Sequence, residues 1–210
     1  MTSPRGGRPP RAAASFEVRV HGRGGQGVVT AAEMLSVAAF GEGRFAQAFP
    51  SFGSERTGAP VVSFCRFSDR PIRTREPVVA PDALLIQDAT LIHQVDLFAG
   101  LAPDGYVLVN TSRTFDELDL GDYVEGRDPG RLATCPATEL ALEHVGKPLP
   151  NAALLGGFAA LTGQVSLAAI AEAIRERFAG AVGERNVAAA GAAFEHVSRE
   201  CERLIGAPPD

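Results

Sequence analysis

The fold is decided by Phe16-Glu-Val-Arg-Val-His-Gly-Arg-Gly-Gly-Gln-Gly27 and the segment that follows it. Its first five residues alternate apolar and polar side chains, which predicts a β-strand. Val28 to Phe40 carries apolar residues at helical spacing, and Gly41 and Gly43 end that pattern. A strand, a glycine-rich turn and a helix in this order form the first part of a Rossmann-like βαβ unit.

The rest of the sequence predicts further strands and helices, as in an α/β protein. Further strands are predicted at 44–49, 60–67, 83–86, 105–110 and 132–135, and helices at 90–99 and 138–145. From Pro150 to Leu204 the pattern is almost entirely helical, and Gly163 and Gly180 divide it into three helices. The sequence therefore predicts a three-layer α/β fold with a mostly parallel sheet and a helical C-terminal part.

Composition narrows the function classes. The 210 residues predict a flexible arm at 1–15 and a single α/β domain at 16–210. A net charge of −5 argues against a nucleic-acid-binding protein. Three cysteines lie far apart and form no CxxC, which indicates a cytoplasmic protein that holds no iron–sulfur cluster by itself. The longest uncharged stretch, 148–171, contains polar residues and glycines and predicts buried helices, not a membrane span.

The glycine-rich turn has a direct chemical use. Gly22, Gly24 and Gly27 match G-x-G-x-x-G, and glycines let the backbone approach a phosphate at a helix N-terminus. In dinucleotide-binding proteins an acidic residue about 20 positions later contacts the ribose. Glu42 lies at that distance, but in a turn. The alternative interpretation is a tight turn that only packs the helix on the sheet.

A second stretch, Phe49-Pro-Ser-Phe-Gly-Ser-Glu-Arg-Thr-Gly-Ala-Pro60, combines aromatic, hydroxyl, guanidinium and glycine groups. Arg56 can form a two-pronged contact with a phosphate, and Ser51 and Ser54 can add donors. Phe52 can stack on a planar ring. The alternative is an ordinary surface loop with an ion pair at Glu55.

These two stretches together resemble the gamma subunit of the 2-oxoacid:ferredoxin oxidoreductases, of which the pyruvate enzyme is the best-known member. The resemblance rests on Gly22–Gly27, on Ala48–Val61, on Pro150-Asn-Ala-Ala-Leu-Leu-Gly156 and on Glu184-Arg-Asn-Val187. The four motifs occur in the same order as in the family, and the resemblance covers roughly residues 16–204.

The resemblance implies a subunit that is catalytically silent alone. The complex would convert a 2-oxoacid and coenzyme A to acyl-CoA, carbon dioxide and reduced ferredoxin. Thiamine diphosphate with Mg²⁺, and 4Fe-4S clusters, would be held by partner subunits of the alpha, beta and delta types. Ferredoxin or a flavin subunit would accept the electrons. The gamma subunit would help to bind coenzyme A and cover the active site.

The resemblance also implies which residues contact coenzyme A. They are Gly24, Gly25, Gln26, Gly27, Ser51, Phe52, Gly53, Ser54, Glu55 and Arg56. The sequence predicts no catalytic residue and no metal site in this chain, because its histidines lack ligand-like spacing.

Several further points stay open at this stage. His21 either completes the first strand or touches the ligand. Asn151 is interpreted as a helix N-cap or a packing residue, or as a residue near a subunit interface or the thiamine. A free-standing NAD-binding oxidoreductase and a nucleotide-sensing module are the alternative functions. The sequence does not select the 2-oxoacid, the electron acceptor or the stoichiometry.

Overall fold

A computed structural model of the chain describes residues 15–51 and 57–206. Within these ranges six strands form one sheet in the order β2-β3-β1-β4-β5-β6. The strands are β1 Ser15–Arg23, β2 Phe45–Pro50, β3 Pro60–Ser68, β4 Ala83–Ile86, β5 Tyr106–Asn110 and β6 Leu132–Cys135. The α-helices are α1 Val28–Gly41, α2 Gly121–Val124, α3 Ala137–Val145, α4 Asn151–Thr162, α5 Leu167–Arg177 and α6 Gly180–Gly206.

The sheet confirms the predicted α/β class with mostly parallel strands. β1, β4, β5 and β6 pair in parallel, whereas β3 pairs antiparallel with both β1 and β2. In the first strand–helix–strand unit, β1 and β2 are therefore not neighbours in the sheet, because β3 lies between them. This insertion brings the segment that precedes β3 to the end of β1.

The two faces of the sheet are covered differently. Five helices pack on one face over a large apolar cluster that includes Val18, Val20 and Leu85. The other face carries a smaller cluster around Leu84 and Ile86. It is covered by the segment 89–101, by α2 and by short 3₁₀ turns instead of long helices. The third layer is therefore thin and largely irregular.

The helical C-terminal part forms the three predicted helices. α4 is buried at almost every position, and α6 packs along it. A Cβ on Gly156 would lie 1.9 Å from the carbonyl oxygen of Ala190, so this glycine sets the closest approach of the two helices.

The helix predicted at 90–99 is wrong beyond a single turn, since only a 3₁₀ turn at Ala89–Leu91 forms there. The carbonyl oxygens of Leu97 and Ala99 accept hydrogen bonds from the buried Arg19 guanidinium, at 2.6 and 2.8 Å, instead of pairing along a helix.

Candidate functional site

The carboxyl ends of β1 and β4 lie side by side, and the chain leaves them in opposite directions. After β1 it enters α1 on the helical face, and after β4 it enters the segment 89–101 on the other face. Neighbouring parallel strands with such opposite connections form the crevice in which α/β proteins bind ligands. The glycine loop, defined here as Gly22–Gly27, lies at this crevice.

The glycines of the loop have separate physical roles. A Cβ on Gly22 would lie 2.6 Å from Cγ2 of Val28, so Gly22 lets α1 pack tightly on β1. Gly25 has a φ of +94° and faces open space, and Gly27 has a φ of +74° at the N-cap of α1. Both conformations favour glycine. The loop thus combines the packing role with an open turn at a helix N-terminus.

Some of the predicted ligand groups are engaged inside the protein. The N–H of Gly24 donates to Ala59 O at 2.9 Å, and the N–H of Gln26 donates to Arg23 O at 3.0 Å. The side-chain oxygen of Gln26 accepts from the N–H of Arg23, and its Nε2 donates to Asp88, both at 2.8 Å. Gln26 therefore fastens the glycine loop to the segment after β4.

Other donors of the loop have no such partner. The first hydrogen bond of α1 runs from Ala31 N to Gly27 O at 2.9 Å. Among the described residues, the N–H groups of Gly25, Gly27 and 28–30 donate to no acceptor. Unpaired N–H groups and the partial positive charge of a helix N-terminus make an anion-binding site.

Asp88 lies beside the glycine loop, but its negative charge is balanced by Arg23. Burial raises the pKa of Asp88, but hydrogen bonds from Thr90 and Gln26 and the charge of Arg23 together hold that pKa below its usual value. Arg23 Nε lies 3.2 Å from Asp88 Oδ2, so the carboxylate is neutralised locally. Sequence reasoning missed Asp88, although its position directly after a buried parallel strand was a usable signal.

The second predicted stretch meets the glycine loop at one of its ends. The N–H of Gly58 donates to Gly24 O at 3.0 Å, and Gly24 and Thr57 form an isolated β-bridge. Ser51, at the other end, lines a cavity of about 390 Å³ together with Arg19 and His21. The predicted contacts Phe52, Gly53, Ser54, Glu55 and Arg56 lie outside the described residues.

His21 completes the strand β1, as one of the two interpretations predicted. Its Nε2 accepts a hydrogen bond from Arg19 Nε at 3.0 Å, and its side chain is buried. Burial and the charge of Arg19 lower the pKa of His21 to about 3, so the imidazole is neutral at pH 7.

Two other sequence interpretations are corrected by the geometry. Asn151 is not an N-cap, because it is the first residue of α4 and Pro150 takes the cap position. Glu42 follows α1, whose 14 residues separate it from the glycine loop by about 21 Å. Its carboxylate accepts a hydrogen bond from Ser166 N at 3.0 Å. A ribose bound beside the loop would therefore not reach Glu42.

Two kinds of feature are absent from the described ranges. Across residues 15–51 and 57–206, no three His, Cys, Asp or Glu side chains come together as a metal site. Over the same ranges, no helix has the length and apolar character needed to cross a membrane.

Comparisons with known proteins place the chain among relatives of nearly the same length. Residues 17–196 match the family described as pyruvate ferredoxin/flavodoxin oxidoreductase. The chain is 48% identical over 181 residues to the pyruvate/ketoisovalerate oxidoreductases common subunit gamma of Thermococcus kodakarensis, covering 85% of this chain and 95% of that protein. It is 46% identical over 180 residues to pyruvate synthase subunit PorC of Methanothermobacter marburgensis, covering 86% and 96%.

A solved structure is similar over most of its length as well. The crystal structure of pyruvate oxidoreductase subunit PORC from Thermotoga maritima superposes with a TM-score of 0.72 at 34% identity, covering 87% of this chain and 96% of that one.

Proposed function

The chain belongs to the pyruvate ferredoxin/flavodoxin oxidoreductase family, and from this membership we propose that its glycine loop binds the phosphates of coenzyme A. It is a gamma subunit of a 2-oxoacid oxidoreductase complex, and the resemblance seen in its sequence is confirmed. The observation that carries the proposal is the set of unpaired N–H groups at Gly25, Gly27 and the first turn of α1, among the described residues. A phosphate is the ligand class that this geometry favours.

The proposal extends to the complex around the chain. Thiamine diphosphate, Mg²⁺ and 4Fe-4S clusters belong on partner subunits of the alpha, beta and delta types, and ferredoxin or a flavin subunit takes the electrons in the cytoplasm. The names of the relatives make pyruvate and ketoisovalerate the first 2-oxoacids to test. Affinity purification from the native host, with mass spectrometry and a visible spectrum, tests this arrangement. Brown material with larger partners supports it, and a colourless homo-oligomer contradicts it.

A matched pair of glycine variants tests the coenzyme A site in the assembled complex. Gly25 and Gly43 have φ values of +94° and +81°, and a Cβ at either position would meet no atom within 4 Å. Gly25→Asp places a carboxylate beside the N-terminus of α1, whereas Gly43→Asp places the same group just after the C-terminus of that helix. Asp tolerates the left-handed conformation, so both variants carry a similar backbone cost.

The expected result is a selective effect on one substrate. Gly25→Asp raises the KM for coenzyme A by roughly tenfold or more, because the added charge repels the phosphates and about 1.4 kcal/mol is tenfold in affinity. The KM for the 2-oxoacid stays unchanged, and Gly43→Asp changes neither constant. Equal coenzyme A constants in the two variants would remove the glycine loop from this role.

Arg56 is the second component of the proposal, and it rests on the sequence and the family resemblance. Arg56→Ala is expected to raise the KM for coenzyme A by about 10- to 150-fold, since a hydrogen bond to a charged group contributes about 1.5–3 kcal/mol. An unchanged KM removes Arg56 from the site.

Closure of the active site is the remaining part of the proposal. A gamma subunit that excludes water would protect the reactive intermediate on the partner subunits. A complex assembled without this chain is expected to make acyl-CoA slowly and to lose intermediate to hydrolysis. Full acyl-CoA production without the chain rejects that role.

The NAD-binding alternative keeps the glycine fingerprint but loses its candidate ribose contact, because Glu42 lies at the far end of α1.

A further inference from the structure

A second helix begins beside the glycine loop. The first residue of α4, Asn151, is only 6% exposed, and its Nδ2 lies 2.5 Å from the position that a Cβ on Gly27 would take. Gly27 is the N-cap of α1. The N-termini of two long helices are therefore in direct contact at the crevice.

The start of α4 has unpaired donors like those of α1. Its first internal hydrogen bond runs from Leu154 N to Pro150 O at 2.8 Å, and Pro150 has no side chain that can cap the helix. In the described part of the chain, the N–H groups of residues 151–153 donate to no acceptor. Two helix N-termini thus direct their partial positive charges at one place.

Asn151 itself is an unusual side chain for a buried position. Its amide takes part in none of the hydrogen bonds within 15–51 and 57–206. The amide atoms of Asn151 keep some exposure at the crevice, so they are available to a bound ligand. An acceptor bound between the two helix N-termini would lie within reach of this amide and of both sets of N–H groups.

A second amide without a partner lies close to Gly22. Both polar atoms of the Gln87 side chain are buried and have no partner among the described residues. Gln87 follows β4 directly, and its Cβ lies 3.2 Å from the Cβ position of Gly22. The unpaired polar groups therefore cluster on the helical side of the crevice.

We propose that Asn151 is a ligand-binding residue, and that the N-termini of α1 and α4 together hold the two adjacent phosphates of the coenzyme A diphosphate. One helix N-terminus suits one phosphate, and two in contact suit a pair of linked phosphates better than the isolated 3′-phosphate. Asn151 donates its amide to a phosphate oxygen between the two helices. This inference rests on the proposed function of the glycine loop.

The decisive variant is Asn151→Asp in the assembled complex, with Asn186→Asp as its control. Asn186 is equally buried but lies in α6, where its amide donates to Val182 O at 2.9 Å. Asn151→Asp is expected to raise the KM for coenzyme A by about 10- to 150-fold, since it replaces a charge-assisted hydrogen bond with repulsion. The KM for the 2-oxoacid stays unchanged.

Stability separates binding from a structural role. A carboxylate at two helix N-termini is favourable, so the Tm of Asn151→Asp is expected to equal or exceed that of the wild type. Asn186→Asp lowers the Tm without a selective effect on coenzyme A. A merely structural Asn151 would show a lowered Tm and no selective change in KM, which overturns the inference.

Two probes identify the part of the ligand, and the pyrophosphate result on the wild-type complex stands even where a variant does not fold. Inorganic pyrophosphate is expected to compete with coenzyme A, and Asn151→Asp is expected to abolish that competition. Competition by adenosine 3′,5′-bisphosphate should survive in Asn151→Asp. The reverse pattern, or no competition by pyrophosphate, overturns the diphosphate assignment.

The same experiments distinguish the inference from its premise. If the KM for coenzyme A is normal in Asn151→Asp but raised in Gly25→Asp, the inference is overturned and the proposed function stands. Normal constants in both variants overturn both.

Discussion

The side chain of Gln26 joins the glycine loop to Asp88, with Nε2 donating to Oδ2 at 2.8 Å across 62 residues of sequence. The same side chain accepts the N–H of Arg23 at 2.8 Å. Gln26 therefore fixes the shape of the loop from within, whereas the N–H groups of Gly25 and Gly27 have no acceptor among the described residues. In the structure Gln26 positions the loop, and its contact with coenzyme A stays a prediction.

Replacing Gln26 is expected to lower the stability of the chain and to weaken the binding of coenzyme A. Gln26→Ala leaves the N–H of Arg23 and the Asp88 carboxylate with one partner fewer, which is expected to lower the free energy of unfolding by about 1–3 kcal/mol. The loop loses its preorganised shape, so the KM for coenzyme A also rises. Urea unfolding of the chain and kinetics of the complex measure the two effects.

The exposed Glu143→Ala is the surface control for Gln26→Ala, and it is expected to stay within about 0.5 kcal/mol of the wild type. If Gln26→Ala is as stable as this control, the hydrogen bonds of Gln26 to Arg23 and Asp88 contribute nothing to the stability of the chain.

Local signals in the sequence were sufficient for most elements. The alternation at Phe16–Val20 and the helical spacing from Val28 each depend on neighbouring residues, and both predicted elements formed. The insertion of β3 between β1 and β2 was not predictable in this way, because strand order depends on pairing between distant segments.

Contacts between distant residues also limited what could be predicted about the site. The glycine loop was visible in the sequence because its spacing is local. Asn151 looked like an N-cap, since nothing in its neighbourhood reveals that Gly27, 124 residues earlier, lies against it. Asp88 escaped notice for a similar reason, because its partner Gln26 lies on another strand connection.

The buried His21 predicts a specific pH dependence of stability. Its pKa falls from 6.5 to about 3 on folding, so the unfolded chain binds the extra proton between these values. This contribution is fully present above pH 6.5 and is lost as the pH falls toward 3. Within that range the slope is about 1.4 kcal/mol per pH unit.

His21→Gln tests this slope, because its side-chain oxygen can still accept from Arg19. The free energy of unfolding of the variant is expected to fall less steeply between pH 6.5 and pH 4.5 than that of the wild type. Parallel curves for wild type and His21→Gln would mean that His21 is protonated in the folded chain.

The position of Glu42 predicts that this chain does not bind NADH. A ribose acid must lie near the diphosphate, and Glu42 is about 21 Å from the glycine loop along α1. Titration of the full chain with NADH is expected to give no saturable change in NADH fluorescence, while coenzyme A gives a measurable heat of binding. Saturable NADH binding that Glu42→Gln abolishes would restore the dehydrogenase alternative.

Two glycines in the helical part predict opposite effects of the same substitution. Gly156 lies where α4 meets α6, and a Cβ there would be 1.9 Å from the carbonyl oxygen of Ala190. Because backbone atoms cannot yield as a flexible side chain does, Gly156→Ala is expected to lower the free energy of unfolding by about 2–4 kcal/mol.

Gly191, in α6, has open space around its Cβ position. Gly191→Ala is therefore expected to raise stability by about 0.5–1 kcal/mol, since alanine favours the helix. Thermal unfolding of both variants measures the difference, and equal Tm values would contradict the close packing of α4 on α6.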